Sequence, residues 1–585
     1  MMARERQPVL TPAAPVTEPP RPAPAGAYAR LRRHRRRLLP LLVVLLLAQM
    51  AVAMVTSAVR QTPTIDEPVY VATATDYLHE HRLRYNPEHP PLGKLLIAAG
   101  VAVADPHYAP ARTGTQSAVG RRLLYESGND PWRLMLWARL PVIALTLLFG
   151  LVVFAFARDL AGGAGGLAAL ALYAFSPDVI AHGSLATLDA PAAGFVLTSV
   201  WLVWRARRRP VRYLPPAGAA VGAAVATKMS ALPAVPVLMA LAVVSVVAAE
   251  RSGPVSWWPR SVSWPVSRTV SRPAGGRRRV PAALVGAVVV AVAAVAVVWA
   301  AYLAVDPRLR FSPAEPVPAV AGLRGRLVEL LPVPPAYRAG MLVQFGLEDQ
   351  HWQSYLFGRL YTGSLWYYLP AALLVKTPLG LMALGVAGAV AVVALGRLRP
   401  AAPYLLVPPA VLLAAAMTGA RDLGTRYVLF VPMFLAVAAA CAVTLRRRGS
   451  GLLAGVLVAF AAVSSLRAFP YYLPYSNEAF GGPAHTHRLL HDSNVDWGQD
   501  LGRLADRLRE RYPGERVWLV YKGSGVPSYY GIRAGDPLTV PRDRVHGLLV
   551  VSDSAVAKAR GTLAELIGSS RPVDEVGHSI TLYRR

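Results

Sequence analysis

LLPLLVVLLLAQMAVAMVTSAV, residues 38–59, carries no charged side chain and is long enough to cross the roughly 30 Å hydrocarbon core of a bilayer as a helix. Apolar runs of similar character recur along the chain, for example at 280–303 and around 452–466. Of the 585 residues, 54% are hydrophobic and only 16% are charged, a balance unlike that of a soluble protein of this size. The sequence therefore predicts a polytopic membrane protein built mainly of α-helices.

The formal net charge of +29 comes mostly from arginine clusters at the ends of apolar runs. The clusters lie at 30–37, 205–212, 251–279, 397–399 and 446–448. The spacing of the runs places every cluster on one side of the bilayer, and the positive-inside rule makes that side cytoplasmic. Because no basic groove interleaved with aromatic residues is visible, we expect the charge to orient the protein in the bilayer and expect no nucleic-acid partner.

Run length and charge predict about eleven membrane spans in the inner (plasma) membrane, with a cytoplasmic N-terminus and an extracytoplasmic C-terminus. The Ala/Gly-rich spans between residues 162 and 228 are weakly hydrophobic, but small residues permit close helix packing in lipid. The predicted spans are 38–59, 134–157, 163–180, 186–204, 213–228, 230–249, 280–303, 366–395, 403–419, 426–445 and 451–470.

Three regions are predicted along the chain. Residues 1–37 form a disordered, basic, cytoplasmic N-terminus that leads into an uncleaved first helix, and residues 38–470 form the transmembrane domain. Residues 471–585 form a small extracytoplasmic α/β domain, since strand-like and helix-like runs alternate there. The long outer loops are predicted at 60–133 and 304–365, the low-complexity cytoplasmic connector at 250–279, the strands of the tail at 517–521, 548–552 and 579–583, and its helices at 499–511 and 555–567.

Two adjacent acids, Asp66 and Glu67, follow the first span in the sequence TIDEP, residues 64–68. Acidic side chains at a membrane boundary cost desolvation free energy unless they are paired or functional. In one interpretation Asp66 is the N-cap of a helix that begins at Glu67 and Pro68. In the other, Asp66 is a general base that takes a proton from an attacking hydroxyl group. These residues alone leave both interpretations open.

A lysine opens the helix predicted after the motif NPEHPPLGKLL, residues 86–96. A cation at a helix N-terminus is mildly unfavourable, but Lys94 and the free amides together suit an anion such as phosphate. Alternatively, Lys94 is an interfacial lysine that extends to water. Because Asp66 lies in the same outer segment, we favour the functional interpretation.

Other ionisable residues are predicted at the same membrane boundary. Asp189 lies near the start of a span, where capping is the alternative, and Lys228 lies in a tight turn between spans. Lys376 lies within an apolar run and therefore needs a partner. The chain uses arginine almost everywhere, so lysines gathered at one boundary are a weak indication of function, because an ammonium group does not replace a guanidinium.

These motifs resemble the protein O-mannosyltransferases and their bacterial relatives, the phospholipid carrier-dependent glycosyltransferases. The resemblance covers roughly residues 60–585, and its bacterial part is the tail segment DSNVDWGQD, residues 492–500. The other motifs that carry it are Asp66-Glu67, HPPLGKLL at 89–96, Leu188-Asp189, TKMS at 227–230, LWYYLP at 365–370, KTPL at 376–379 and RYVL at 426–429.

The resemblance implies a membrane helix bundle of GT-C type, a polyprenyl-phosphate sugar donor, and transfer to an acceptor hydroxyl on the outer face. The second outer loop is too short for the β-trefoil of the eukaryotic enzymes, and those enzymes lack the tail, so the acceptor (protein, lipid or polysaccharide) stays open. By resemblance Asp66 is the catalytic base or a carboxylate that orients the acceptor, and the donor-phosphate ligands are Lys94, Lys228, Lys376 and Arg426. We add to this predicted site Glu67 as a second catalytic residue and, as substrate-binding residues, His89, Asp189, Glu348, His351 and Asp496.

The chemistry of this reaction requires no obligatory cofactor. Cations in a low-dielectric pocket can neutralise a departing lipid phosphate without a metal. No carboxylate–histidine spacing matches a zinc site, so no metal ligand is predicted, although a divalent cation remains compatible with the sequence. The alternatives to an enzyme are a lipid or sugar transporter, which usually shows repeat symmetry and charges near the midplane, and a non-enzymatic envelope assembly factor.

Overall fold

The computed structural model describes residues 25–109, 114–251, 279–445 and 449–585. The predicted N-terminal disorder up to residue 24, most of the 250–279 connector and the arginine cluster 446–448 lie outside these ranges. The first helix already covers residues 25–37, which the sequence places in the disordered segment.

Helices make up most of the described residues before the C-terminal region, by which we mean residues 471–585. The helices before this region are α1 (Ala25–Arg60), α2 (Glu67–His79), α3 (Pro91–Ala104), α4 (Gln116–Tyr125), α5 (Pro131–Ala174), α6 (Pro177–Gly183), α7 (Asp189–Ala206), α8 (Pro210–Thr227), α9 (Ala234–Arg251), α10 (Arg279–Val305), α11 (Leu323–Glu329), α12 (Pro335–Glu348), α13 (Tyr368–Lys376), α14 (Leu379–Ala394), α15 (Ala402–Ala416), α16 (Phe430–Ala442) and α17 (Ser450–Ala468).

Among the described residues, six helices are long and apolar enough to cross a membrane, or seven if α13 and α14 count as one span. Each predicted span overlaps at least one helix, although several of these helices are shorter than a full crossing. Two predicted spans merge into α5, which is broken at Gly162, where φ is +74°. The predicted span 366–395 is bent by 117° between α13 and α14, because Pro378 lacks an N–H donor and restricts the residue before it.

Small residues bring the helices close together, as the Ala/Gly-rich composition predicts. On α8, Gly218 and Gly222 lie one turn apart and face α10. A Cβ atom at these positions would lie only 2.6 Å from the Val290 carbonyl oxygen and 2.7 Å from the Ala294 Cα atom. Close backbone approach of this kind stabilises helix pairs where lipid supplies no hydrophobic driving force.

The C-terminal region contains a mixed sheet, and strands form at the three predicted places. Strand β3 pairs in parallel with β4 and β5, whereas β7 pairs antiparallel with β5 and β6. A separate antiparallel hairpin, β1–β2, lies in the second long loop. The strands are β1 (Gln353–Leu356), β2 (Arg359–Thr362), β3 (Val517–Val520), β4 (Ala534–Gly535), β5 (Leu548–Ser552), β6 (Arg571–Val576) and β7 (Ile580–Arg584), with helices α18 (Leu501–Arg511), α19 (Asp553–Ala557) and α20 (Gly561–Gly568).

The C-terminal region is hydrogen-bonded to the chain that follows α1. The backbone amides of Thr62 and Ile65 each donate to a carbonyl, of Gln499 and Trp497 respectively, with N···O distances of 3.0 Å. The Ser524 hydroxyl, just beyond β3, donates to the Thr64 carbonyl at 2.8 Å. These contacts place the DSNVDWGQD segment directly beside Asp66.

Candidate active site

Asp66 is the N-cap residue of α2, but its side chain accepts no hydrogen bond from the first turn of the helix. Instead, its Oδ2 atom accepts from the Nη1 atom of Arg426 at 2.5 Å, across 360 residues of sequence. The Asp66 side chain is 27% exposed, whereas that of Arg426 is 9% exposed. The capping interpretation therefore does not account for the carboxylate, which is paired and yet accessible.

Arg426 lies in a short 3₁₀ turn, Thr425–Val428, immediately before α16. The Thr425 amide donates to the Asn494 Oδ1 atom at 3.0 Å, which ties this turn to the C-terminal region. The Cζ atom of Arg426 lies 4.3 Å from the ring centroid of Trp497 and 5.0 Å from that of Tyr427. Its buried Nε atom has no hydrogen-bond partner within the described residues, so the guanidinium retains a donor for another anion.

Lys228 adjoins this pair through the Tyr427 ring, which both cations contact. Its Nζ atom donates to the carboxylate of Asp189 at the start of α7 and lies 4.9 Å from the Tyr427 ring centroid. Both side chains are largely buried, at 10% and 4% exposed. Two cations therefore share the Tyr427 ring, and each is paired with one carboxylate.

Glu67 has a different environment from its neighbour Asp66. It is fully buried, and its two oxygens accept from the Nε and Nη2 atoms of Arg139 at 2.7 Å each. Arg139 also donates to the carbonyls of Ala58, Gln61 and Thr62 at the end of α1. This arrangement anchors the chain that presents Asp66.

The other two predicted phosphate ligands use all their donors within the protein. Lys94 donates to the Asn86 carbonyl, the Asn86 side chain and the His89 carbonyl, at 2.8, 3.2 and 2.6 Å. Lys376 donates to the carbonyls of two C-terminal residues and lies 3.2 Å from Asp178. An ammonium group has three donors, so neither lysine has one left for a phosphate in this arrangement.

The predicted substrate-binding residues are dispersed. The buried His89 ring contacts Tyr70, and burial, followed by the Lys228 charge, lowers the pKa of His89 well below its ordinary value. Glu348 pairs with Arg421 at 2.7 Å in the loop that leads to Arg426. His351 is exposed and lies outside the cluster formed by Asp66, Arg426, Lys228 and Asp189.

Asp496 is buried where the DSNVDWGQD segment packs against the end of β5 in the sheet. Its oxygens accept from the Ser554 and Gly498 amides at 3.1 and 3.2 Å. Burial raises the pKa of Asp496 to about 6 and that of the neighbouring Asp553 to about 7. By contrast Asp492 pairs with Lys522, and although burial opposes its ionisation, this cation helps to hold the Asp492 pKa at about 2.

The raised pKa values predict a pH-dependent effect of replacing Asp553 with asparagine. The pKa of the Asp553 carboxyl is near 3.8 in the unfolded chain and about 7 in the folded chain, so the fold favours its neutral form. This contribution to stability is complete below about pH 4 and is lost as the pH rises through 7. An asparagine side chain does not ionise and has no such loss, so D553N should gain stability relative to the wild type as the pH rises, on the order of 1 kcal/mol per unit of pKa difference. Melting temperatures between pH 4 and 8 measure this difference, and the exposed D543N serves as the control. A difference between D553N and wild type that does not change with pH would contradict the prediction.

Several residues of the site were not predicted from the sequence. Arg139 is a cation inside a predicted span, and Lys376 has the same feature, so the sequence could have indicated Arg139 as well. Trp497 and Tyr427 carry no chemical signature of their own and are recognised only by their positions against Arg426. Among the described residues, no group of three or more His, Cys, Asp or Glu side chains is arranged to hold a metal ion.

The family model described as dolichyl-phosphate-mannose-protein mannosyltransferase matches residues 134–256. No curated protein matches the chain. Among solved structures, apo ArnT from Cupriavidus metallidurans is 16% identical over 92% of this chain and 97% of that chain, with a TM-score of 0.46. The S. cerevisiae Pmt1-Pmt2 complex bound to the sugar donor is 17% identical over 47% and 34% of the two chains, with a TM-score of 0.35. The Archaeoglobus fulgidus oligosaccharyltransferase in its apo form is 15% identical over 81% and 58%, with a TM-score of 0.40.

The residues that match the family model include two members of the site, Asp189 and Lys228. The described residues form a mainly helical membrane protein, with six or seven helices long and apolar enough to cross a bilayer, as the sequence predicts. More particularly, residues 134–256 are similar to the dolichyl-phosphate-mannose-protein mannosyltransferase family, in agreement with the resemblance seen in the motifs.

Proposed function

We propose that this enzyme transfers a sugar from a polyprenyl-phosphate donor to an acceptor hydroxyl on the outer face of the inner (plasma) membrane. The observation that carries the proposal is one accessible carboxylate, Asp66, paired with a buried guanidinium, Arg426, beside a second cation, Lys228. The description of the matching family names a dolichyl-phosphate sugar, which supports a donor of this class.

In the proposed step, Asp66 accepts the proton of the acceptor hydroxyl while the hydroxyl oxygen bonds to the anomeric carbon of the sugar. The bond between the anomeric carbon and the phosphate oxygen breaks, and its electron pair leaves with the polyprenyl phosphate. Arg426 and Lys228 stabilise the charge that develops on the phosphate, an effect that is large in a buried site.

A single displacement inverts the anomeric centre, because the acceptor attacks from the face opposite the departing phosphate. A retaining reaction would require a second carboxylate, free to act as the nucleophile. Glu67 and Asp189 are paired with Arg139 and Lys228 and are only 0% and 4% exposed, whereas Asp66 is 27% exposed although it is also paired, so the arrangement favours a single accessible base. We assign positioning roles to Glu67, Lys94 and Lys376.

Replacing Arg426 with lysine tests the phosphate assignment. The ammonium group keeps the charge but loses the guanidinium fork, so the KM for a polyprenyl-phosphate sugar should rise roughly tenfold to a hundredfold. Transfer rates in proteoliposomes, with an envelope fraction as the source of acceptors, measure the change. The exposed Arg516, which also lies over a tryptophan ring, provides the control R516K. Equal KM values for R426K and R516K would remove Arg426 from the donor site.

A further inference from the structure

We propose that Trp497, in the C-terminal region, is a positioning residue for the donor-phosphate cation, so that the donor site is built from both the helix bundle and this region. The inference rests on the proposed function of Arg426. It extends that function to a residue which contacts neither the donor nor the acceptor in the proposed step.

The contact between Trp497 and Arg426 is close and largely buried from solvent. The Cζ atom of Arg426 lies 4.3 Å from the indole centroid, and Trp497 is only 1% exposed. A cation over a tryptophan face is attracted most strongly when both groups are removed from water. The ring therefore helps to hold the guanidinium in place while its Nη1 atom pairs with Asp66.

The position of Trp497 is in turn set by backbone contacts with the chain that carries Asp66. Its carbonyl accepts from the Ile65 amide at 3.0 Å, one residue before Asp66. Its own amide donates to the Gln499 side chain at 2.7 Å, which holds the turn. The same segment contains Asn494, whose side chain accepts from the Thr425 amide, one residue before Arg426. The DSNVDWGQD segment therefore contacts the residues next to both Asp66 and Arg426 and fixes their relative positions.

A ring contact with α6 supports the same role. The His182 ring lies edge-on to Trp497, with 6.0 Å between centroids, and is fully buried. Neither of its ring nitrogens has a hydrogen-bond partner within the described residues. Trp497 is therefore held both by its backbone contacts and by a buried side chain of α6.

The test is the binding of polyprenyl phosphate to the full-length protein in nanodiscs. W497L removes the ring and should weaken binding about tenfold or more, whereas W497F keeps a ring and should recover most of the affinity. In the R426K background, W497L should have little further effect, because Trp497 acts through the guanidinium. The matched control is W518L, since Trp518 is also buried and lies 4.5 Å from the Cζ atom of Arg516 within the sheet.

The outcomes separate this inference from the proposed function. Weakened binding in W497L, with W518L unchanged, supports the positioning role even if the wild type transfers no sugar. Wild-type affinity in W497L overturns it, as does an equal loss in the R426K background. Equal losses in W497L and W518L, without rescue by W497F, show a general folding defect and also overturn it. A wild type that binds no polyprenyl phosphate overturns both proposals.

Discussion

Replacing Asp66 with asparagine is expected to lower the rate of sugar transfer about 10²- to 10⁴-fold, the range for losing a general base. Asparagine has nearly the same shape and can still accept the hydrogen bond from Arg426, so the proton acceptor is lost while the local structure is kept. The affinity for polyprenyl phosphate should therefore stay within a few-fold of the wild-type value. Initial rates and binding, measured on the same proteoliposomes, separate the two effects.

The control for this variant is D76N on the same helix. Asp76 is buried and accepts a hydrogen bond from the Tyr108 hydroxyl at 2.6 Å, outside the cluster that contains Asp66. We expect D76N to transfer sugar at close to the wild-type rate. Full activity in D66N would refute the assignment of Asp66 as the base.

Replacing Arg139 with leucine is expected to reduce the free energy of unfolding by about 3–5 kcal/mol, because Glu67 would remain buried without its counter-charge. The pair is fully buried, and Arg139 also donates to three carbonyls at the end of α1. The double variant R139L/E67L should recover part of the loss, since it removes both charges. Thermal unfolding in detergent measures all three proteins.

An exposed pair supplies the comparison for this prediction. Arg121 and Glu126 lie 3.8 Å apart, with side chains 59% and 56% exposed. R121L should therefore change the stability by at most about 1 kcal/mol. If R139L and R121L have the same melting temperature, the ion pair with Arg139 does not stabilise the fold. Glu67 would then again be a candidate catalytic residue.

The helices could be predicted from the sequence because lipid solvent imposes a length and an apolar composition on each span. The bend at Pro378 was missed because the apolar run continues through it, although the proline itself was visible. The apolar runs 134–157 and 163–180 predict two separate spans, whereas the structure has one helix that is broken at Gly162. In both cases composition located the apolar segment, and the backbone chemistry of one residue determined its shape.

The site could be predicted only in part. Asp66 and Arg426 were both recognised, but 360 residues separate them, and no periodicity indicates that they pair. Lys94 and Lys376 are unusual cations in the sequence, which predicts phosphate binding for both, whereas the backbone carbonyls that accept from them are seen only in the structure. Trp497 has no chemical signal of its own in the motif DSNVDWGQD, because its position against Arg426 appears only in the fold.

The measurement that tests the central claim most directly follows both halves of a doubly labelled polyprenyl-phosphate sugar in proteoliposomes supplied with acceptors. We expect the wild type to separate the two labels, leaving the sugar on a hydroxyl with inverted anomeric configuration and the lipid as polyprenyl phosphate, while D66N leaves the donor whole. A wild type that carries the intact donor across the bilayer would indicate a transporter, and one that leaves it in place and uncleaved would indicate an assembly factor. Either result would contradict the account.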